Sequence, residues 1–211
     1  GPTRDFAKWL AEQKAEGYQF HASVGNVSDW NSTKEAFDKV KAEFGNPDIL
    51  VNNAGITRDG VFRKMSLEDW RTVIDTNLNS LFNVTKQVID GMLDKGWGRI
   101  INISSVNGEK GQFGQSNYSA AKAGMHGFSM ALAQEVASKG VTVNTVAPGY
   151  IATDMVMAVR EDVREKIIQT IPVRRLGKAE EIGSIVGWLT TDDAGFTTGA
   201  EFSCNGGLHM G

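Results

Sequence analysis

Arg99-Ile100-Ile101-Asn102-Ile103-Ser104-Ser105, followed after a loop by Ser116-Asn117-Tyr118-Ser119-Ala120-Ala121-Lys122, is the stretch on which the reading of this chain turns. Arg99 to Ser104, Arg-Ile-Ile-Asn-Ile-Ser, reads as a short strand. The second part opens a helix that reaches from Ser116 or Asn117 to Ser138. A strand passing its chain to a helix is the repeating step of an α/β protein with a mostly parallel sheet.

The same stretch carries chemistry. Four residues is about one helical turn, so Tyr118 and Lys122 share a face. An ammonium beside a phenol stabilises the phenolate and lowers a pKa that is ordinarily about 10. A tyrosine tuned in this way exchanges a proton with a substrate oxygen near neutral pH. Ser105, ahead of Tyr118, can hydrogen-bond the same oxygen. The trio suits carbonyl/alcohol interconversion with the hydride carried by a cofactor. A lone Tyr-x-x-x-Lys is more often a surface pair than a catalyst, so the weight rests on its neighbours.

Outward from this stretch, strands and helices alternate. Arg4 to Glu16 reads as an amphipathic helix with Phe6, Trp9 and Leu10 on one face, stopped by Gly17. Tyr18 to Val24 is a candidate strand. Ser32-Thr33-Lys34-Glu35 reads as a capping box before Phe37, Val40, Lys41 and Phe44. Pro47 to Val51 is a strand ending at Asn52-Asn53-Ala54-Gly55. A second capping box, Ser66 to Asp69, opens a long helix whose apolar stripe runs through Ile74, Leu78, Leu81, Val84, Val88 and Met92 to Gly96. Val141 to Val146 and Ala200 to Cys204 are further strands; Asp162 to Thr170 and Lys178 to Leu189 are further helices. With 211 residues and no linker or repeat, residues 1–211 read as one domain.

Composition excludes several classes. Twenty-two basic against 25 acidic residues give a net charge of -3, which points to no nucleic-acid or anionic-membrane partner. Cys204 is the single cysteine, so an intrachain disulfide and a zinc site on paired cysteines are excluded, and no metal site is expected. No apolar run approaches the ~20 residues of a membrane span, so a cytoplasmic protein is expected.

The ordered set Asn52-Asn53-Ala54-Gly55, Asn77, Ser105, Tyr118/Lys122 and Pro148-Gly149-Tyr150-Ile151-Ala152-Thr153 resembles the short-chain dehydrogenase/reductase family over nearly the whole chain. Within it, Val51 to Asp59, Ser104 to Gly108, Gly111 to Gln115 and Asn205 to Gly211 look most like the acetoacetyl-CoA reductases of polyhydroxyalkanoate synthesis. The 3-oxoacyl-acyl-carrier-protein reductases are the nearest competitor. The resemblance implies a Rossmann-like doubly wound parallel sheet and NADP(H) as cofactor. It also implies acetoacetyl-CoA or a related short 3-oxoacyl thioester as substrate, (R)-3-hydroxybutyryl-CoA as product, and a homotetramer.

Carried over residue by residue, Tyr118 is the general acid, Lys122 lowers its pKa and meets the nicotinamide ribose, and Ser105 polarises the substrate oxygen. Asn77 supports a water leading to Lys122, or else is an asparagine satisfied by its own helix. Asn53, Ala54 and Gly55 border the cofactor, Asn26 and Val27 meet the adenine, and Pro148, Gly149, Ile151 and Thr153 flank the nicotinamide. Asp59, Gln112, Phe113, Gln115 and Tyr150 surround the short acyl group. Lys64, with Arg58 and Arg63, meets CoA phosphates or is a solvated face.

The family's glycine-rich turn between first strand and first helix is missing before Arg4, and a β-α-β unit takes roughly 30 residues or more. The expectation is therefore a fragment, or the visible part, of a longer polypeptide, with the first strand absent from the middle of the sheet and a gap in its place. Arg4 is expected as a remnant of the loop that selects the 2′-phosphate of NADP. A chain truly beginning at Gly1 is expected to be a non-catalytic fragment.

Overall fold

The computed structural model describes residues 6–211. Arg4 therefore lies outside the described residues. Four parallel strands form the described sheet, in the spatial order β1 (Ile49–Asn52), β2 (Gly98–Ile103), β3 (Val141–Pro148), β4 (Glu201–Cys204). Around it run α1 (Phe6–Ala15), α2 (Trp30–Phe44), α3 (Leu67–Ile74), α4 (Ser80–Lys95), α5 (Val106–Lys110), α6 (Ser116–Val136), α7 (Asp154–Met157), α8 (Glu161–Thr170) and α9 (Ala179–Leu189).

The order follows from hydrophobicity. β2 and β3 are buried along almost their whole length, as strands covered on both faces must be. β1 and β4 alternate between exposed residues and buried or half-buried ones and are the outer strands of the described sheet. On one face, Val84, Val88 and Met92 of α4 and Ala133 and Val136 of α6 pack on Leu50, Ile100, Val141 and Val143. On the other, Leu189, Ile182 and Ile185 of α9 pack on Ile101 and Val146. Helices on both faces make the sheet doubly wound, as the family resemblance implied.

Inside the sheet a polar ladder holds the register. Asn52, Asn102 and Thr145 are aligned across β1, β2 and β3. Asn52 donates to Asn102 at 2.8 Å, Asn102 donates to Ser129 of α6 at 2.8 Å, and Thr145 donates to Ser129 at 2.9 Å. Ser129 passes its own hydrogen to the Met125 carbonyl at 2.7 Å, so each hydroxyl hydrogen finds an acceptor. A register slip would orphan these buried groups.

Three sequence expectations are corrected. Tyr18 to Val24 forms no strand, because no strand among the described residues lies beside it to complete a ladder. Among the described residues the sheet consequently has no gap: its four strands are contiguous, with β1 outermost on one side. The Ser32 capping box gives way to Asp29, which accepts the Ser32 amide at 2.6 Å and starts α2 at Trp30, while Ser32 Oγ accepts the Asn26 amide at 2.9 Å. The Ser66 cap forms as read, accepting the Asp69 amide at 2.9 Å. The helix it opens is interrupted at Asp75–Asn79 by a π-helical turn that carries Asn77.

Candidate active site

In a parallel sheet flanked by helices, ligands bind in the crevice outside the carboxyl ends of the strands. Here β1 ends at Asn52, β2 at Ile103 and β3 at Pro148, and the segments that follow them bound an open cleft of about 630 Å³. Asn53, Gly55, Ser105, Tyr118, Lys122, Pro148, Gly149, Ile151 and Thr153 all line it. Nine residues expected at the site from distant parts of the sequence thus share one wall system.

Ser105 stands at the N-cap of α5, where its Oγ accepts the Asn107 amide at 3.2 Å. Its side chain is also close enough to the Tyr118 phenol to favour the phenolate, though less than burial disfavours it. Tyr118 and Lys122 project from α6 one turn apart. The Lys122 ammonium is 3% exposed and donates to the Ile103 carbonyl at 2.7 Å. Among the described residues it has no carboxylate partner, and burial brings its pKa down to about 8. An ammonium with donors to spare, facing a cleft, fits the diol of a nicotinamide ribose.

The expected depression of the Tyr118 pKa does not occur in this arrangement. Lys122 Nζ is 5.6 Å from the phenol ring centroid and turned to Ile103, whereas burial of the phenol pushes its pKa up. A phenol held above its ordinary value keeps its proton at neutral pH, which suits an acid more than a base.

Asn77 is fully buried, and its side chain ties a loop to the helix. Oδ1 accepts the Ile56 amide at 3.2 Å, while Nδ2 donates to the carbonyls of Ile56 at 2.9 Å and Val73 at 2.8 Å. The neighbouring Gly55 is a glycine because of this contact: a Cβ there would stand 2.6 Å from Asn77 Oδ1. Gly149 is equally constrained, since its Cβ would fall 2.7 Å from the Asn205 Cα. Gly55 lets the main chain press on the Asn77 side chain, and Gly149 lets it press on the main chain of Asn205.

Other expected residues lie apart. Asn26 and Val27 do not border the cleft: Asn26 Oδ1 accepts from Ser28, and the Val27 carbonyl accepts from Asn83 at 3.0 Å. Ala54 is exposed beside the cleft. Gln115 donates to both Asp59 oxygens at 3.0 Å and accepts from Asn107 at 2.9 Å, bridging the loops after β1 and β2. Gln112 and Tyr150 line a second hollow of about 380 Å³ against α8. Phe113 is 87% exposed and reaches neither hollow, and Lys64 is exposed in the turn Phe62–Lys64.

Sequence reading missed Ser104, His126, Glu109 and Glu201. His126 Nε2 lies 2.7 Å from Ser104 Oγ, and Nδ1 lies 2.9 Å from Glu201 Oε2. The signal was present, since Tyr118, Lys122 and His126 recur every fourth residue along one helix face. Burial first, and Glu109 beside it second, raise the Glu201 carboxyl to about 7. A carboxyl whose folded pKa exceeds its unfolded value of about 4.3 holds its proton more tightly when folded. Its contribution to stability is therefore greatest below about pH 4 and is lost as pH rises to 7. Glu109→Gln removes the like charge. It is expected to raise the melting temperature relative to the parent at pH 8, by about 2–4 °C for a screened effect near 1 kcal/mol, and to give no gain at pH 5. Equal differences at the two pH values would refute the carboxyl pair.

Comparison with known proteins agrees with this geometry. A family model described as short chain dehydrogenase matches residues 3–164. The chain is 74% identical to an acetoacetyl-CoA reductase of Cupriavidus necator over 204 residues, covering 97% of this chain and 83% of that protein. It is 54% identical to an acetoacetyl-CoA reductase of Allochromatium vinosum over 203 residues, 96% of this chain and 82% of the relative. With the 3-oxoacyl-[acyl-carrier-protein] reductase of Escherichia coli it shares 51% over 185 residues, 88% of this chain and 76% of the relative. No described helix is long and apolar enough to cross a membrane. A strand-end crevice with a serine, a phenol and a buried ammonium is an oxidoreductase site built for a nicotinamide cofactor. On these grounds the chain belongs to the short-chain dehydrogenase family.

Proposed function

We propose that this protein reduces the 3-oxo group of acetoacetyl-CoA or a related short 3-oxoacyl thioester with NADPH, giving the 3-hydroxyacyl thioester. The observation that carries the reading is the 74% identity to an acetoacetyl-CoA reductase over 97% of the chain. The cleft supplies the chemistry. When bound, the nicotinamide provides the hydride that adds to C3.

The protein's own residues handle the oxygen. Ser105 donates a hydrogen bond to it and holds the carbonyl in line. Tyr118, protonated because its buried phenol is held above its ordinary pKa, delivers the proton that the oxygen takes up as charge develops there. Lys122 binds the ribose diol, and its positive charge beside the site favours the negative charge passing to the phenol. That charge is present below about pH 8. Asn77 holds the loop Gly55–Ile56 that forms the adjoining wall, and the support of a water on the way to Lys122 is assigned to it as part of this reading. Gln112, Gln115, Asp59 and Tyr150 form the substrate side.

Copies of the chain are proposed to assemble as a homotetramer through α4 and α6, where Phe82 is 58% and Met130 51% exposed. A carrier-linked substrate is the second reading, favoured by the 51% identity to the Escherichia coli protein. Following cofactor oxidation by the full-length protein separates them. Turnover is expected to be faster with acetoacetyl-CoA than with the acyl-carrier thioester, and with NADPH than with NADH. The reverse preference in either pair would overturn that part of the reading.

A further inference from the structure

One turn beyond Lys122 on α6, His126 stands between two other parts of the fold. Its Nε2 is 2.7 Å from Ser104 Oγ at the end of β2, and its Nδ1 is 2.9 Å from Glu201 Oε2 on β4. Ser104 Oγ is also 3.0 Å from the Lys122 carbonyl oxygen. The residue before Ser104, Ile103, takes the Lys122 ammonium on its own carbonyl at 2.7 Å. Adjacent residues of one strand end therefore grip both the main chain and the charged tip of Lys122.

We propose that His126 is a positioning residue for the reduction, clamping the Lys122 turn of α6 to the end of β2 through Ser104, with Glu201 and Glu109 setting the protons of the clamp. This rests on the reductase reading above.

Counting hydrogens shows how the clamp works. Ser104 has one hydroxyl hydrogen and two takers. With His126 as imidazolium, Nε2–H donates to Ser104 Oγ, Nδ1–H donates to Glu201, and Ser104 gives its hydrogen to the Lys122 carbonyl. With His126 neutral and Nδ1–H on Glu201, Nε2 has to accept, so the Ser104 hydrogen turns to the ring and the Lys122 carbonyl loses that bond. Which state holds depends on the charged groups facing the ring: Lys122 from α6, Glu109 from α5 and Glu201 from β4. Burial lowers the His126 pKa, with Glu109 opposing and Lys122 assisting.

Glu109 closes the relay. One of its oxygens accepts from Ser203, while the buried Oε2 has no donor among the described residues. Glu201 in its protonated form is a hydrogen-bond partner of Glu109 and can supply one. A serine, a histidine and a carboxylate in series is also the arrangement of a hydrolytic nucleophile. Ser104, however, is 4% exposed, enclosed between the His126 ring and the Lys122 carbonyl, which leaves no approach for an acyl carbon.

The test uses the full-length protein with His126→Phe and His126→Gln, recording kcat, KM and melting temperature from pH 5.5 to 9. His126→Phe is expected to lower kcat by up to about tenfold, the scale of one lost hydrogen bond. The KM for either substrate should stay within about twofold, and the acid-side inflection of the kcat profile should disappear. His126→Gln, whose amide can still donate to Ser104, should restore kcat without restoring the inflection. A His126→Phe profile that superimposes on the parent's, with only the melting temperature lowered, would overturn the positioning role.

A readout independent of turnover guards the relay itself. A low-field His126 Nδ1–H proton resonance is expected in the unmodified protein and should be absent in Glu201→Leu. Its absence in the parent, or its persistence in Glu201→Leu, would refute the relay. No cofactor oxidation by the unmodified protein would overturn the reductase reading and leave the relay to be judged on that resonance.

Discussion

Replacing Tyr118 by phenylalanine is expected to lower kcat for thioester reduction about 10³-fold, within the range of a positioned general acid, while the fold stays intact. The substitution deletes one oxygen. Phenylalanine fills the same space on α6, and Lys122 keeps its bond to the Ile103 carbonyl because that bond does not involve the phenol. The structural loss is the phenol hydroxyl and its interaction with Ser105, worth at most about 1 kcal/mol. What disappears is the one proton donor in the cleft that is held above its ordinary pKa and so remains protonated at working pH. Ser105 can polarise the carbonyl but has no base behind it to restore a donated proton. Cofactor binding should change little, since Lys122 and the loops after β1 and β3 are untouched. Steady-state NADPH oxidation together with thermal unfolding checks both halves. Activity above about a tenth of the parent's would sink the assignment of Tyr118 as the acid.

Asn77→Leu is expected to be the most damaging change outside the catalytic trio. The leucine is close in volume, but it leaves the Ile56 amide and the Ile56 carbonyl without the partners that Asn77 provides at 3.2 and 2.9 Å. Each unsatisfied, largely desolvated backbone group costs about 1–3 kcal/mol, so a loss near 3 kcal/mol is expected. For a chain of this size that is roughly 6–12 °C in melting temperature. The site suffers as well. Gly55 packs against Asn77 Oδ1 so closely that even a methyl would stand 2.6 Å away, and branched carbons there push the Gly55–Ile56 wall outward. KM for the cofactor should rise more than kcat falls, because the wall binds and Tyr118 still reacts. A variant as stable as the parent, with unchanged cofactor KM, would show that the Asn77 side chain holds nothing at the cleft.

The elements most readable in the sequence were those whose signal is local. The Ser66 cap, the apolar stripe of α4 and the isoleucine-rich β2 need only their own residues, and each formed where the sequence placed it. Tyr18 to Val24 failed for the opposite reason: a strand exists only beside another, and none among the described residues adjoins it. Asp29 displaced Ser32 as a cap because two acceptors competed for the same first turn, a contest that spacing cannot settle. The π-helical turn at Asp75–Asn79 leaves no periodic trace, yet it is where Asn77 swings into the wall.

The sequence by itself determined the class of chemistry and the scaffold that holds it. Helical spacing put Tyr118 and Lys122 on one face, and alternation of strand and helix required a crevice at the strand ends. Only the tertiary structure decided the electrostatics. Burial and orientation, not proximity in sequence, turn the Lys122 ammonium to Ile103 and leave the Tyr118 phenol above its ordinary pKa. The approach of β4 to α6 brings Glu201 to His126 across a separation no pattern encodes. Local spacing fixes which groups share an element, whereas a pKa depends on solvent and charge in three dimensions, and those are set by packing alone.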